Sequence, residues 1–479
     1  MRLGKTAASH FTSQVVVTLA GFLATWLIAF VLGAEGLGRY SVVVSLGFFW
    51  LVIPSNAVSM AVTKRMSEQE SPAAFFGGGV LLNVALAAVL ATLVLAAGEL
   101  LGGIVSRNRE LMVVLIEYDV AIAVLLTAAI AHQTAHAVLQ GQKRVAATGW
   151  LKAGERIGRT AFQVGALVLG LGVAGISFGH AASLALVAVA GFLFSKYRPS
   201  IPSLAQVKSL LRYAQFAWAG ALRGRVFGWL DTIVLSFFVS ASLIGIYEAA
   251  WGIASMLAIA SGSISQTLFP EVSELSTDSG FDRIRHYLDE ALAFSAIFVI
   301  PGLFGTLVLG ERVLRFYRPE FGQGTQILLV LILAYLADVF ASQFTNVLNG
   351  IDRPDAAFRV NGLFIVVNMV LNVVLVWQIG WFGAALATAS SSLLRAVAGY
   401  WVLEGILGGV SIPVGELLRQ VVAALVMAGA VFPVVGLAPS GRVGTVLLAG
   451  FGGVVYFAVL LGIAPRIRSK AFSLVPEAA

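Results

Sequence analysis

Leu139-Gln140-Gly141, with Arg144 three residues on, recurs as Leu348-Asn349-Gly350 with Arg353, at an offset of 209 residues. Three further pieces repeat in the same order. Gly38-Arg39-Tyr40 after Leu37 recurs as Gly245-Ile246-Tyr247 after Ile244, Ser67-Glu68 as Ser273-Glu274, and Gly172-x-x-Gly175 as Gly380-x-x-Gly383. Their offsets all fall between 206 and 208. One match of this length is chance; four in one order at a near-constant offset imply a duplicated unit. Every piece sits at the end of an apolar run, so the unit is a membrane bundle. Duplicated bundles are a common plan for transporters.

Composition fixes the solvent. Hydrophobic residues make up 59% of the 479 and charged residues 11%, with a mean hydropathy of +0.92. Soluble domains run near 25% charged, so the chain is expected to be an all-α integral membrane protein. The run from Phe11 to Leu32, preceded by Arg2 and Lys5, exceeds a cleavable signal core and reads as an uncleaved first span. With 0 cysteines there are no disulfides, thiolate nucleophiles or Fe–S ligands, and no cofactor is expected.

Runs of about 20 apolar residues cross hydrocarbon. They fall at 9–32, 41–62, 76–100, 112–138, 153–171 and 174–195, then at 211–238, 243–268, 288–309, 325–348, 357–378 and 384–404, with two more at 414–436 and 443–464. This predicts 14 transmembrane helices as two pseudo-symmetric six-helix lobes, 1–195 and 211–404. Between them runs a cytoplasmic amphipathic linker, 196–210, and two additional helices with a tail occupy 405–479. Ser203 caps the linker helix; it either lies on the membrane surface or extends the seventh span. With a cytoplasmic N-terminus, the external connections carry seven basic residues: Arg39, Arg107, Arg109, Arg312, Arg315, Arg318 and Arg442. The cytoplasmic side collects 21, and Arg223, Arg225 and Arg395 lie inside spans. This bias places both termini in the cytoplasm. It also explains the net charge of +7 without nucleic-acid binding. Two halves of six spans enter the membrane in the same direction, so an axis along the membrane normal should relate them.

The pattern resembles the oligosaccharide and polysaccharide flippases of the multidrug/oligosaccharidyl-lipid/polysaccharide exporter superfamily. The first hairpin, Leu32-Gly33-Ala34-Glu35-Gly36-Leu37-Gly38-Arg39-Tyr40-Ser41, looks like that family's first extracellular turn. Asp231-Thr232-Ile233-Val234-Leu235 followed by Ile244-Gly245-Ile246-Tyr247 resembles its signature across the seventh and eighth spans, and Phe269-Pro270-Glu271 and Ile300-Pro301-Gly302 fall where the family has them. The resemblance implies translocation of a polyprenyl- or dolichyl-(di)phosphate-linked oligosaccharide or polysaccharide unit across the cell membrane by alternating access. Its partners would be membrane lipids and H+, Na+ or the membrane potential. Lipid II flippases of the superfamily carry arginine inside the first span; here that span offers His10, Ser13 and Gln14. This departure weighs against the alternative of a peptidoglycan-precursor flippase. A multidrug or toxin antiporter, built on six plus six spans, is disfavoured by the extra pair at 414–464.

Ionisable groups at bilayer depth cost about 2.5–3.5 kcal/mol on insertion scales, so they face a cavity or a partner. Arg225 lies near mid-membrane, and Arg223 and Asp231 share one stripe of the same helix. These three are candidate substrate-binding residues, as are Asp338 and Arg395, placed to pair across the tenth and twelfth spans. Glu117 and Asp119 near the external end of the fourth span could take a coupling ion. His132 and His136 have zinc-compatible i, i+4 spacing but no third ligand nearby, so no metal is expected. Asn56, Asn346, Asn361, Asn368 and Asn372 suit helix–helix hydrogen bonds or sugar hydroxyls. Gly175-Ile176-Ser177-Phe178-Gly179 matches a nucleophile elbow in letters only, because it lies between spans rather than between strand and helix. A membrane glycosyltransferase would need a large extramembrane domain. The longest connection, Phe269 to Leu288, holds about twenty residues and no Asp-x-Asp, so no enzyme is expected.

Overall fold

The computed structural model describes residues 2–68, 71–104, 109–259, 261–262, 264, 281–439 and 441–473, with backbone only at 2–20, 101–104, 145, 218–224 and 470–473. Phe269-Pro270-Glu271 and the Ser273-Glu274 repeat lie outside the described residues. The described chain is helical, without strands. Its helices are α1 (Arg2–Val44), α2 (Ile53–Ser67), α3 (Pro72–Ile104), α4 (Glu110–Glu117), α5 (Asp119–Gly141), α6 (Val145–Val168), α7 (Gly172–Leu193) and α8 (Leu204–Phe238). They continue as α9 (Ala241–Leu257), α10 (Phe281–Ser295), α11 (Val299–Leu314), α12 (Thr325–Gly350), α13 (Pro354–Ile379), α14 (Trp381–Leu407), α15 (Val414–Val431), α16 (Arg442–Ile463) and α17 (Pro465–Ser473). Among the described residues, nine stretches are long and apolar enough to cross a membrane. The chain is a multi-pass membrane protein.

Several expected spans are broken, each for a local reason. The first hairpin turns at Gly33 inside α1, where φ is 75° and only glycine avoids strain. The second span carries a π-turn at Ser45–Trp50 before α2, because Pro54 has no N–H for the ladder. Pro301 likewise parts α10 from α11 within the ninth span. The fourth span, expected as one helix over 112–138, is two helices meeting at Tyr118. The helix capped by Ser203 runs unbroken to Phe238, its cap a box in which the Ser203 hydroxyl accepts from the Gln206 N–H. At 1.5 Å per residue its 35 residues span about 50 Å, more than the hydrocarbon, so its first turns stand outside.

The repeat is visible in the backbone. Lys143 and Asp352, 209 residues apart, are both left-handed, with φ of 58° and 57°. One residue later the Arg144 N–H donates to the Leu139 carbonyl at 3.0 Å and that of Arg353 to Leu348 at 2.9 Å. Gly172 and Gly380 share positive φ, 59° and 63°. Helix α5 packs on α7 with α6 beside α7, and α12 packs on α14 with α13 beside α14. The first repeated motif closes on itself: a Cβ added at Gly38 would fall 1.9 Å from the Ala241 carbonyl oxygen, and one at Gly245 would fall 1.9 Å from that of Ala34. A local two-fold thus relates the two glycines, each letting backbone touch backbone.

The chain divides into two compact units, Leu27–Gly245 and Met1–Trp26 with Ile246–Ala479. In the first, α2 and α3 pack on α5, and α8 packs on α2 and α3, over a core of Val58, Val62, Phe76, Val138 and Leu210. In the second, one core of Leu288, Leu292, Phe344, Leu348 and Leu403 joins α10, α12 and α14. Another, with Ile300, Leu309, Met427, Leu448 and Tyr456, fastens α15 and α16 to α11.

Candidate functional site

The break at Pro54 creates a use for Arg225. Proline leaves carbonyls of the preceding turn without ladder donors. The guanidinium of half-buried Arg225, on α8, donates to the Phe49 carbonyl in that turn. Phe49 stacks on Trp229 with ring centroids 3.9 Å apart, and the Trp50 indole N–H donates to the Trp229 carbonyl at 3.3 Å. Asp231 is buried two residues further along the same helix, while the side chain of Arg223 lies outside the described residues.

Beside this turn a cavity of about 260 Å³ opens between the π-turn, α2, α5 and α6, within Leu27–Gly245. Its walls bring together Asn56, Ser59, Thr63, His132, Gln133, His136 and Lys152, with Phe48 as an aromatic face. Nε2 of His132, Nε2 of His136 and Oε1 of Gln133 are buried without a hydrogen-bond partner. Buried polar atoms are nearly always satisfied, and an orphan asks for an explanation. Here three orphans belong to residues lining one cavity. Imidazoles, amides and hydroxyls around an aromatic wall, with one ammonium, suit sugar hydroxyls joined to an anion. The His132 and His136 rings sit 6.1 Å apart, and among the described residues no group of three ligands could hold a metal.

A second polar chain lies deeper in the same unit. The Gln163 amide donates to the Tyr40 oxygen at 2.5 Å, leaving the Tyr40 hydroxyl to donate to Nδ1 of His180 at 3.2 Å. That assigns the imidazole proton to Nε2, which faces Glu155 at 3.7 Å, and Glu155 also pairs with Arg159 at 3.5 Å. The sequence reading set Lys152, Arg156 and Arg159 among cytoplasmic charges. Helix α6 begins at Val145, eight residues before the expected start of the fifth span, so Lys152 lies on the same helix as Arg156 and Arg159. The missed signal was a polar stripe, Lys152, Glu155, Arg156, Arg159 and Gln163, at helical spacing along an apolar segment.

The remaining candidates are engaged elsewhere. Glu117 stands 3.6 Å from Arg39, which also holds Glu35 and Glu110 at 2.9 and 3.1 Å. Asp119 opens α5, accepting the Val120 N–H at 2.6 Å. In the other unit Arg395, 1% exposed, donates Nη1 to Asp338 at 2.5 Å, Nε to Asn361 at 3.0 Å and Nη2 to Thr345 at 3.0 Å. This clamp ties α12, α13 and α14 together. Asn368 donates to Ser391 at 2.9 Å and Asn372 to Asn368 at 3.4 Å, so these amides hold helices to one another and along α13.

A polytopic helical bundle with a polar cavity among its apolar spans is the architecture of a membrane transporter. The chain belongs to the polysaccharide biosynthesis protein family, whose model matches residues 3–276; a second model, MatE, matches 225–374. It is similar to the probable flippase AglR of Haloferax volcanii, 28% identical over 99% of both chains. It is also similar to the probable low-salt glycan biosynthesis flippase Agl15 of that organism, 23% identical over 98% of both. Among solved structures, the lipid II flippase MurJ in an inward closed conformation superposes with a TM-score of 0.77 at 15% identity, covering 96% of this chain and 98% of that one. All lie within the exporter superfamily whose motifs the sequence carries.

Proposed function

We propose that this chain moves a polyprenyl- or dolichyl-(di)phosphate-linked oligosaccharide or polysaccharide unit across the cell membrane by alternating access. Fourteen spans in two repeats and an added pair carry it, with both termini cytoplasmic. The observation that carries the reading is the cavity between α2, α5 and α6, whose wall of imidazole, amide and hydroxyl side chains with Lys152 matches the hydroxyls of a sugar joined to an anion. Kinship over nearly the whole length with proteins named as glycan flippases supports it. Lys152 and Arg225 take the carrier phosphate, Arg225 with the edge of its fork not given to Phe49. Asp231 holds the arginines between cycles, and Arg223 assists. A proton, a sodium ion or the membrane potential drives return; Glu117 and Asp119, or the Glu155–His180 pair, take the coupling ion.

The test uses proteoliposomes holding a fluorescent isoprenoid-diphosphate oligosaccharide in both leaflets, with an impermeant reagent reading the outer one. The wild-type protein is expected to expose nearly the whole pool, and empty vesicles only the outer half. A His132→Leu, His136→Leu double variant is expected to transport about tenfold more slowly, the equivalent of losing ~1.4 kcal/mol of cargo contact. Its fold should hold, because removing unpartnered buried groups relieves a desolvation cost. Wild-type transport by that variant would exclude the cavity as the head-group site. In the same assay Arg225→Ala is expected to transport almost nothing. Arg225→Lys, which keeps the charge and a donor for Phe49 but not the fork, should retain part. A lysine variant as fast as wild type would reduce Arg225 to a brace for the broken helix.

A further inference from the structure

Within the unit holding Ile246–Ala479, a cavity of about 800 Å³ lies between the end of α11 and the turn joining α15 to α16. Three guanidiniums line it, those of Arg312, Arg315 and Arg442, and its lining includes no carboxylate. Arg312 reaches across from α11, donating to the Val435 and Pro439 carbonyls, both at 2.7 Å. Arg442 reaches back from α16, donating to the Phe316 carbonyl at 3.0 Å, and its guanidinium lies 5.3 Å from the Trp26 ring. Carbonyls orient Arg312 without cancelling its charge. Arg315 pairs with Glu311 at 2.5 Å, but both are more than half exposed and the pair is weak there.

Three of the seven basic residues at the basic-poor end of the spans, Arg312, Arg315 and Arg442, gather in this corner. Basic residues at that end oppose the insertion bias, so a cluster there asks for a use. Beside the cavity, Phe432, Leu437, Val443 and Leu447 are exposed on and around α15 and α16, two stretches of membrane-spanning length. A ligand that satisfies both features has an anionic head and apolar chains.

We propose that this cavity binds the phosphate head group of an anionic lipid, with the acyl or isoprenoid chains lying along α15 and α16. Guanidinium forks match phosphate oxygens in paired, charge-assisted hydrogen bonds, and basic pockets between membrane helices hold anionic head groups. The lipid is either a bilayer phospholipid or an isoprenyl phosphate. The site shares no lining residue with the sugar-facing cavity, and its binding of lipid does not depend on that reading.

The test is native mass spectrometry of the full-length protein in detergent, titrated separately with phosphatidylglycerol, an isoprenyl monophosphate, phosphatidylcholine and inorganic phosphate. An anionic phosphate lipid is expected to bind about tenfold tighter than phosphatidylcholine, one charge-assisted contact in magnitude. Whichever of the two anionic lipids binds more tightly identifies the source. Arg315→Gln removes a charge with little structural role, and Gly436→Trp fills the cavity from a position whose added Cβ meets nothing within 4 Å. Both are expected to remove the preference while leaving the melting temperature unchanged. Equal binding of phosphatidylcholine, unaltered preference in both variants, or inorganic phosphate binding as tightly as the lipids would each overturn the proposal.

Discussion

Replacing Gly38 or Gly245 by valine is expected to leave almost no folded protein in the membrane. Each glycine faces a backbone carbonyl that an added Cβ would approach to 1.9 Å, well inside contact distance. A flexible side chain could rotate away from such a clash; a carbonyl inside a helix can move only if the whole helix moves. An overpacked methylene in a soluble core costs about 1–3 kcal/mol, and a clash with backbone on both sides of a reciprocal crossing should exceed that. Alanine at either position should do nearly as much damage, since it is the Cβ that collides. Gly453, on α16 with nothing within 4 Å of its added Cβ, is the control. There alanine should be neutral or slightly stabilising, as helix propensity favours it by up to about 1 kcal/mol. Fluorescence-detected size exclusion of tagged protein reads both results. A folded Gly38→Val would mean that the two repeat motifs do not cross as closely as described.

That crossing shows how far the fold was legible. The Gly38 and Gly245 pieces were matched as letters, and the structure brings those same residues into contact. The Leu139 and Leu348 pieces were also matched as letters, and their residues form the same left-handed turn. Repetition reports a shared local geometry, so it can be read without knowing the geometry. Helix breaks were less legible. Pro54 and Pro301 stand plainly in the sequence, but a proline in a membrane span can kink, break or pass, depending on which neighbour supplies the missing donor. For Pro54 one such neighbour is Arg225, some 170 residues away.

The site was legible in residue type rather than in partnership. Arg225, Arg395 and Asp338 stood out because charge inside an apolar run is expensive. Two of them pair with each other, and the third caps a carbonyl. The pairing of Asp338 with Arg395 could be read from matched depth. The cavity lined by His132 and His136 could not, since the remaining walls come from the π-turn and α2, far away in sequence, and from α6. The Glu155–His180 chain was overlooked because Lys152, Arg156 and Arg159 were read as charges at the cytoplasmic end of the fifth span rather than as one stripe along α6.

Arg395→Ala and Asp338→Ala are each expected to cost about 3–5 kcal/mol, because either change strands a buried charge whose partner has gone. Each of the three guanidinium nitrogens donates to a side chain of α12 or α13, at 2.5 to 3.0 Å. Removing Arg395 leaves Asp338, 15% exposed, with Ser342 at 3.4 Å as its hydrogen-bond donor on the same helix. Removing both charges in Arg395→Met with Asp338→Leu should return most of the loss, since a desolvated ion pair gains little over well-packed apolar groups. The Thr345 hydroxyl would keep its bonds to the Ala341 and Ser342 carbonyls in that variant. Thermal unfolding of the wild type, Arg395→Met, Asp338→Leu and their double variant forms a double-mutant cycle, and a coupling of about 2 kcal/mol or more identifies the pair as a clamp between α12 and α14. Transport by the double variant decides what else the pair does. If the stable double variant transports cargo, the charges serve the fold; if it folds and transports nothing, one of them meets the cargo when the clamp opens.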